Sequence, residues 1–266
     1  MKRLLTLALA CAALTACKKD TEKTTETTKE TTVEKPAGLA FENKVYEQKS
    51  SLLCKNNLCT YVNISVPEAS GMGQVSDSIN NKIFHVTRDI VYFGEKPTNG
   101  KSYKEIMASF IGSYDEITKE DPGEAIPWEA KIKATVDYQS DNIINVKLNN
   151  FMFTGGAHGY EGNRSLIFDA KTGKSLSYDQ VFKDKKAFTA LAEKKFREKF
   201  KIPAGKSINT KDVLFENDKF ILPQNIFFKE NGLLLYYNPY EIGSFADGSK
   251  ELLIPYAEAD AYLRVK

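Results

Sequence analysis

The residue most suggestive of chemistry is His158, which lies in a glycine-rich segment at residues 154–162. An imidazole often serves as a general base near neutral pH, and Glu161 and Asp169 are nearby carboxylates in the sequence. The chain has no Gly-x-Ser-x-Gly elbow and no cysteine suited to act as a nucleophile. The glycines favour a tight loop in which the His158 ring bonds loop carbonyls and packs under a sheet. Ligand contact and catalysis are the two alternatives for this histidine.

A second candidate site is the tyrosine-rich segment at residues 236–241. Tyr237 ends a predicted strand, and Tyr240 follows a proline that stops strand pairing. Tyrosine rings stack on sugars or fill pockets of partner proteins, whereas tyrosines at strand spacing can also simply cover a sheet. We take His158, Tyr160, Tyr237 and Tyr240 as ligand-binding candidates, with a structural role as the alternative.

The N-terminal segment has the pattern of a secretory signal that ends at a cysteine. Lys2 and Arg3 precede an apolar run at residues 4–16, and small residues lie just before Cys17. This run is too short for a membrane-spanning helix of about 20 residues, although an uncleaved anchor is the alternative. The segment Leu14-Thr15-Ala16-Cys17 resembles the lipobox of bacterial lipoproteins. The resemblance implies cleavage after residue 16 and a lipid such as palmitate on Cys17, which places the protein in the cell envelope, periplasmic or surface-exposed.

Residues 17–40 are predicted to form a disordered tether. Residues 18–35 consist almost entirely of Thr, Glu and Lys, with Val33 as the one aliphatic residue. Such a segment cannot bury enough apolar surface to offset the entropy of ordering. A nascent helix is the alternative because glutamates recur every fourth residue, but like charges at that spacing repel each other. As a coil, about 20 residues would hold the folded part roughly 25 Å from the membrane.

Cys54 and Cys59 are the cysteines that remain after Cys11 leaves with the signal and Cys17 is lipidated. They flank Asn56-Asn57, a sequence typical of the turn in a β-hairpin. In an oxidising compartment, a structural disulfide across the hairpin is the expectation. A metal or redox role is the alternative, but a metal needs further ligands and a redox pair usually has Cys-x-x-Cys spacing.

The overall charge argues against nucleic acid or anionic lipid as the main partner. The chain has 37 basic and 35 acidic residues, and loss of Lys2 and Arg3 with the signal leaves 35 of each. Neither a basic excess nor a long basic run is present to attract a polyanion.

The apolar pattern predicts an α+β fold of antiparallel sheets backed by helices, in two small packed domains at residues 41–170 and 171–266. The predicted helices cover residues 75–92, 102–118 and 183–200. In these helices, Ser76 is the expected cap of the first, and Ile117 is expected to face inward in the second. The predicted strands cover residues 61–66, 128–138, 143–153, 165–168, 225–228, 232–237 and 251–254, and those between 128 and 168 form an antiparallel meander.

Two groups of sequence motifs resemble known envelope domains. The first group is TGGAHG at 154–159, FDAKTGK at 168–174 and YDQVF at 178–182. The second is FKENGL at 228–233, YNPYEI at 237–242 and IPY at 254–256. Over residues 41–263 the chain resembles two linked domains of unknown function. These are seen in the extracellular part of lysozyme-sensing anti-sigma factors and in the non-catalytic N-terminal part of some peptidoglycan deacetylases.

The resemblance implies a lipid-anchored binding module that recognises an envelope glycan such as peptidoglycan, or an extracellular protein such as lysozyme. The chain lacks the metal-binding Asp-Asp and His-x-x-x-His pairs of the deacetylase module. We therefore expect no catalytic residue, no metal and no cofactor, and we expect contact with a membrane through Cys17 but none with nucleic acid. The alternative is an envelope hydrolase or deacetylase that uses His158 with nearby carboxylates.

Overall fold

A computed structural model describes residues 38–51, 54, 58–93, 99–120 and 126–266. Within these ranges the chain forms a five-stranded sheet, a three-stranded sheet and helices, so the α+β prediction is confirmed. The expected signal peptide, Cys17 and the tether as far as residue 37 lie outside the described residues. No helix in the described ranges combines the length and the apolar character that crossing a bilayer requires.

The first sheet holds its strands in sequence order. They are β1 (Ala40–Lys49), β2 (Tyr61–Ser70), β3 (Glu129–Gln139), β4 (Ile143–Phe153) and β5 (Tyr160–Asp169). The predicted meander is confirmed for β3, β4 and β5, which pair antiparallel, although β5 begins five residues earlier than expected. The charged sequence of β1 gives no apolar alternation and no strand prediction, and the expected tether ends where this strand begins.

The central pairing of the sheet differs from the expectation of purely antiparallel sheets, because β2 and β3 are parallel. The chain between them forms α1 (Gln74–Val91) and α2 (Tyr103–Glu120). A crossover of this length returns the chain to the starting end of the sheet, which is what a parallel pair needs. The sheet is therefore mixed, with β2 and β3 joined through the helical layer.

The first hydrophobic core lies between this sheet and the two helices. The indole of Trp128 is at its centre, with ring centroids 4.3 Å from Phe93, 5.5 Å from Phe110 and 5.6 Å from Tyr114. Edge-to-face and tilted aromatic pairs at these distances stabilise a core beyond the area that they bury.

Two details of the predicted helices are wrong. Ser76 does not cap α1, because the helix begins after Gly73 and the buried Ser76 hydroxyl accepts a hydrogen bond from the Met72 amide at 3.2 Å. Ile117 is 49 % exposed because the buried stripe of α2 follows Phe110, Tyr114 and Thr118 at a spacing of four residues.

The C-terminal part builds a second core on a second sheet. Its strands and helices are α3 (Tyr178–Val181), α4 (Lys185–Lys199), β6 (Asn225–Lys229), β7 (Gly232–Tyr237), β8 (Lys250–Pro255) and α5 (Tyr256–Ala259). The inward face of α4 is formed by Phe188, Ala192 and Phe196, all of which are fully buried. This core also takes in Ile143 and Ile167 from the first sheet, so the two sheets share packing.

The fully buried Asn145 joins the two sheets. Its side-chain oxygen accepts a hydrogen bond from the Phe228 amide at 2.8 Å, and its Nδ2 donates to the Leu166 carbonyl oxygen at 3.1 Å and to Ser165 Oγ at 2.8 Å. Ser165 Oγ in turn donates to the Ile226 carbonyl oxygen at 2.7 Å. These bonds fix β6 against β4 and β5.

The expected disulfide is present in the connection between β1 and β2, where Cys54 and Cys59 are bonded with their Cα atoms 4.3 Å apart. The flanking strands pair antiparallel as the two arms of a hairpin, as predicted. The Asn56-Asn57 turn itself lies outside the described residues.

Candidate functional site

The His158 side chain is exposed, contrary to the expectation of a buried histidine. It lies in the loop between β4 and β5, where Gly155 and Gly156 adopt positive φ angles of 104° and 88°. Its Nδ1 lies 2.9 Å from the carbonyl oxygen of Gly159 and donates to it in the Nδ1–H tautomer. One face of the ring stacks on Phe245, with centroids 4.1 Å apart and an interplanar angle of 11°. The loop thus directs the imidazole outward onto another aromatic ring.

A short helical turn, Phe245–Asp247, holds the Phe245 ring in place. The carboxylate of Asp247 accepts hydrogen bonds from the hydroxyl of Ser244 at 2.6 Å and from its amide at 2.9 Å. These bonds hold the pKa of Asp247 below its ordinary value. Phe245 is not among the residues predicted for the site, and the capping pair Ser244 and Asp247 is the local signal that could have marked this turn.

Tyr240 extends the exposed surface beyond Phe245. Its ring centroid lies 5.6 Å from that of Phe245, and its side chain is 57 % exposed. Tyr240 also has a φ of 70°, a conformation that is unfavourable for a residue with a large side chain. We call His158, Tyr240 and Phe245 the aromatic patch.

Glu241 and Asn238 hold the turn that carries Tyr240. The two carboxylate oxygens of Glu241 accept hydrogen bonds from the amides of Gln224 at 2.6 Å and Asn238 at 2.9 Å. Burial raises the pKa of Glu241, although these bonds partly oppose the rise. The Asn238 side chain bonds both backbone groups of Asn163 in β5, accepting from the amide at 2.7 Å and donating to the carbonyl at 2.9 Å. The turn is therefore fixed to two other segments of the chain.

The other two candidate tyrosines differ in position. Tyr160 is 40 % exposed at the start of β5, two residues after His158. Partial burial raises its pKa, while the charge of Arg164 lowers it. Tyr237 is fully buried and donates its hydroxyl to the carbonyl oxygen of Ile221 at 2.7 Å, so its side chain belongs to the second core. The structural alternative therefore describes Tyr237, whereas the remaining three candidates are accessible.

The carboxylates considered for catalysis do not meet His158. Glu161 accepts a hydrogen bond from Asn149 Nδ2 at 3.0 Å and not from the His158 ring, which bonds Gly159. Its side chain points to the opposite face of β5 from that of Tyr160. Asp169 lies at the far end of β5, about 30 Å from Tyr160 at 3.3 Å per residue. Within the described residues, no group of three or more His, Cys, Asp or Glu residues is placed to hold a metal ion.

Two different families match two parts of the chain, and the aromatic patch takes residues from both parts. Residues 53–161 match the family described as Deacetylase PdaC, and residues 179–257 match Protein of unknown function (DUF3298). The chain carries a PdaC domain followed by a DUF3298 domain. The PdaC domain supplies His158, and the DUF3298 domain supplies Tyr240 and Phe245, so the patch forms where the two domains meet. Together the two domains suggest an extracellular, envelope-associated module, and the disulfide is consistent with an oxidising location.

Two solved structures of DUF3298 family proteins share this fold. One is from Bacteroides fragilis, with 23% sequence identity and a TM-score of 0.69, and the match covers 85% of this chain and 94% of that chain. The other is from Pseudomonas aeruginosa, with 20% identity, a TM-score of 0.64 and the same coverage of both chains. No curated protein sequence matches the chain significantly.

Proposed function

We propose that this protein is a lipid-anchored binding module that recognises an envelope glycan through the aromatic patch. The observation that carries the proposal is the contact of His158 with Phe245, which places two stacked rings beside the exposed Tyr240. Ring faces of this kind pack against the apolar C–H faces of sugars, while the tyrosine hydroxyl offers a hydrogen bond.

The anchoring of the patch supports a binding role. Asp247 holds the turn of Phe245, and Glu241 and Asn238 hold the turn of Tyr240. Aromatic side chains that are fixed before binding lose little conformational entropy when a ligand arrives. The strained φ of Tyr240 fits the same interpretation, because backbone strain is concentrated at functional sites.

The proposed lipid on Cys17 and the tether at residues 17–40 would bring the patch to its ligand. A tether of about 20 residues keeps the folded part within roughly 25 Å of the membrane on average. That reach restricts the module to polymers and proteins close to the anchoring bilayer.

An extracellular protein such as lysozyme is the second candidate partner, and Leu214 is the observation that favours it. This side chain is 65 % exposed, and its amide donates to the carbonyl oxygen of Ile242, two residues after Tyr240. A leucine side chain on the segment beside Tyr240 would add apolar area to aromatic side chains of the kind enriched in protein interfaces.

Hydrolysis or deacetylation is less well supported, even though residues 53–161 match a family named for a deacetylase. Within the described residues, the hydrogen bond of the His158 ring goes to the backbone of Gly159 rather than to a carboxylate. A general base needs a substrate proton and an orienting partner within hydrogen-bond reach.

The test is sedimentation of the full-length protein with purified peptidoglycan sacculi, compared with capture on immobilised lysozyme. We expect sacculi to retain the wild type and to lose Tyr240→Ala and Phe245→Ala. Leu253→Ala is the matched control, because this residue is 39 % exposed on β8 outside the patch. Retention on lysozyme alone would favour the protein partner, and equal retention of all variants on sacculi would refute the role of the patch.

A further inference from the structure

The face of the five-stranded sheet that points away from α1 and α2 carries a row of polar and aromatic side chains. Strand register aligns one residue from each strand in the order Glu47, Asn63, Lys131, Phe151 and Glu161. Successive side chains in a strand alternate between faces, so this row lies opposite the apolar side chains of the first core.

A groove of about 600 Å³ lies over this row and includes Tyr61, Lys133 and Asn149. Its volume falls within the range of small-molecule binding sites, about 300–1,000 Å³. A second depression of about 320 Å³ shares Tyr61 and Asn63 and continues toward β1 and Cys59. The two depressions give the face an elongated recess that suits a chain-like ligand.

Two aromatic rings lie on either side of Lys131 in the groove. The ammonium nitrogen is 5.4 Å from the ring centroid of Tyr61 and 5.6 Å from that of Phe151. The Phe151 ring rests against Gly159, where a Cβ atom would fall only 2.5 Å from Phe151 Cζ. Gly159 is thus needed for the ring position, and it is the direct neighbour of His158, so the groove ends beside the aromatic patch.

The polar groups of the groove are already oriented by hydrogen bonds to one another. Asn149 Nδ2 donates to Glu161 Oε1 at 3.0 Å and to Asn163 Oδ1 at 3.3 Å. Asn63 Nδ2 donates to Glu47 Oε1 at 2.5 Å. Amide and carboxylate groups held in this way offer further acceptor and donor positions to hydroxyl and acetamido groups without new ordering.

The groove holds two lysines and two glutamates, and Lys133 is the lysine whose charge is open to a ligand. Lys131 is paired with Glu129, whereas Lys133 is exposed and makes no ion pair within the described residues. A ligand carboxylate would complement this charge.

We propose that the groove binds an oligosaccharide of N-acetylated amino sugars that carries carboxylates. The inference rests on the proposed function in taking a glycan as the ligand, and it adds the location and chemistry of the chain. Rings, amides and Lys133 match the C–H faces, acetamido groups and carboxylates of such a ligand. A peptide that adds a strand is disfavoured because the site is a sheet face, on which the backbone groups are already used by neighbouring strands.

The test is calorimetric titration of the full-length protein with two soluble tetrasaccharides. One contains N-acetylglucosamine alone, and the other alternates it with N-acetylmuramic acid, which carries a carboxylate. We expect the acidic ligand to bind about tenfold more tightly, as a charge-assisted hydrogen bond allows, and Lys133→Ala to abolish this preference. Lys82→Ala is the matched control, because Lys82 is an exposed lysine on α1.

A second variant tests the ring. We expect Phe151→Leu to weaken both ligands about tenfold, the usual scale for a central aromatic contact, with an unchanged melting temperature showing that the apolar packing on Gly159 is kept. The proposal that the groove binds this glycan would be refuted if the wild type bound neither tetrasaccharide. It would also be refuted if wild type, Lys133→Ala and Phe151→Leu bound equally. The proposed role of the aromatic patch would still hold after such a result if sacculi retained the wild type and did not retain Tyr240→Ala.

Discussion

The imidazole of His158 lies nearly parallel to the ring of Phe245, with their centroids 4.1 Å apart. These residues come from the two different domains of the chain. The pair therefore does two things at once, because it joins the two domains at the surface and leaves the outer face of the exposed imidazole open to a partner. This dual position makes the histidine the most informative residue to change.

His158→Ala should change binding far more than stability. The ring is exposed and its hydrogen bond goes to the carbonyl oxygen of its neighbour Gly159, so the main loss is the stack on Phe245. The free energy of unfolding should therefore fall by no more than about 1 kcal/mol. Sedimentation with sacculi should weaken because Phe245 loses the ring stacked on it. A buried, bridging histidine would instead have lowered the melting temperature, and a drop above about 1 kcal/mol in urea unfolding would contradict this expectation.

Asn145→Ala should be the opposite case, a change that damages the fold. It removes the partner of the Phe228 amide and of the Leu166 carbonyl group, both at the joint between the sheets. An unsatisfied buried group costs about 1–3 kcal/mol, which urea unfolding would detect. Asn149→Ala is the control because Asn149 lies on the same face of β4 and is only half-buried. Similar losses of stability in the two variants would contradict the role of Asn145 in joining the two sheets.

Cys17→Ser should release the protein from membranes. The proposed attachment depends on acyl chains rather than on the protein surface, so the variant should appear in the wash. The check is immunoblotting of washed membranes against the soluble fraction. Persistence of the variant in washed membranes would refute the lipoprotein assignment.

Joint replacement of Cys54 and Cys59 by serine should cost about 2 kcal/mol of stability, on the chain-entropy account of a short closed loop. In the wild type, mass spectrometry without reductant should show the bridged peptide two hydrogens lighter than its dithiol form. Ready alkylation of both thiols in the native protein would overturn the assignment.

Glu241 should make the stability depend on pH in a defined direction. Because burial raises its pKa in the folded state, the folded protein holds this proton to a higher pH than the unfolded chain does. The free energy of unfolding should therefore fall as pH rises from the ordinary value near 4.5 through the raised value. Urea unfolding between pH 4 and pH 8 should show this decline in wild type and a shallower one in Glu241→Gln. A steeper decline in the variant would contradict the raised pKa.

Local patterns predicted the helices and most strands, because apolar periodicity reports which face of an element is buried. Strand β1 was not predicted because it is rich in charged residues and its Val45 is 56 % exposed. The parallel pairing of β2 with β3 depends on how the two intervening helices cross the sheet, which no local pattern specifies. The α+β class and the disulfide, by contrast, follow from composition and spacing.

The candidate site was predictable only in part. Motif spacing singled out His158 and Tyr240, but not that Phe245, in the turn that follows Tyr240, would contact both rings. Tyr237 was grouped with them, but it lies on the same face of β7 as the buried Leu233 and Leu235 and so points into the core. The groove was not predictable at all, since it arises from aligning one residue from each of five strands.

The side-chain amide of Asn238 occupies the outer edge of β5 at Asn163, and the Asn225 side chain accepts the neighbouring Ser165 amide at 2.9 Å. An open strand edge is a template on which another copy of the same protein can add its own strand. If lipid confines many copies to one membrane plane, collisions between these edges become frequent. Because the two asparagine side chains already bond these backbone groups, another strand could not pair with them. Crowded copies would then stay separate, with their binding faces free.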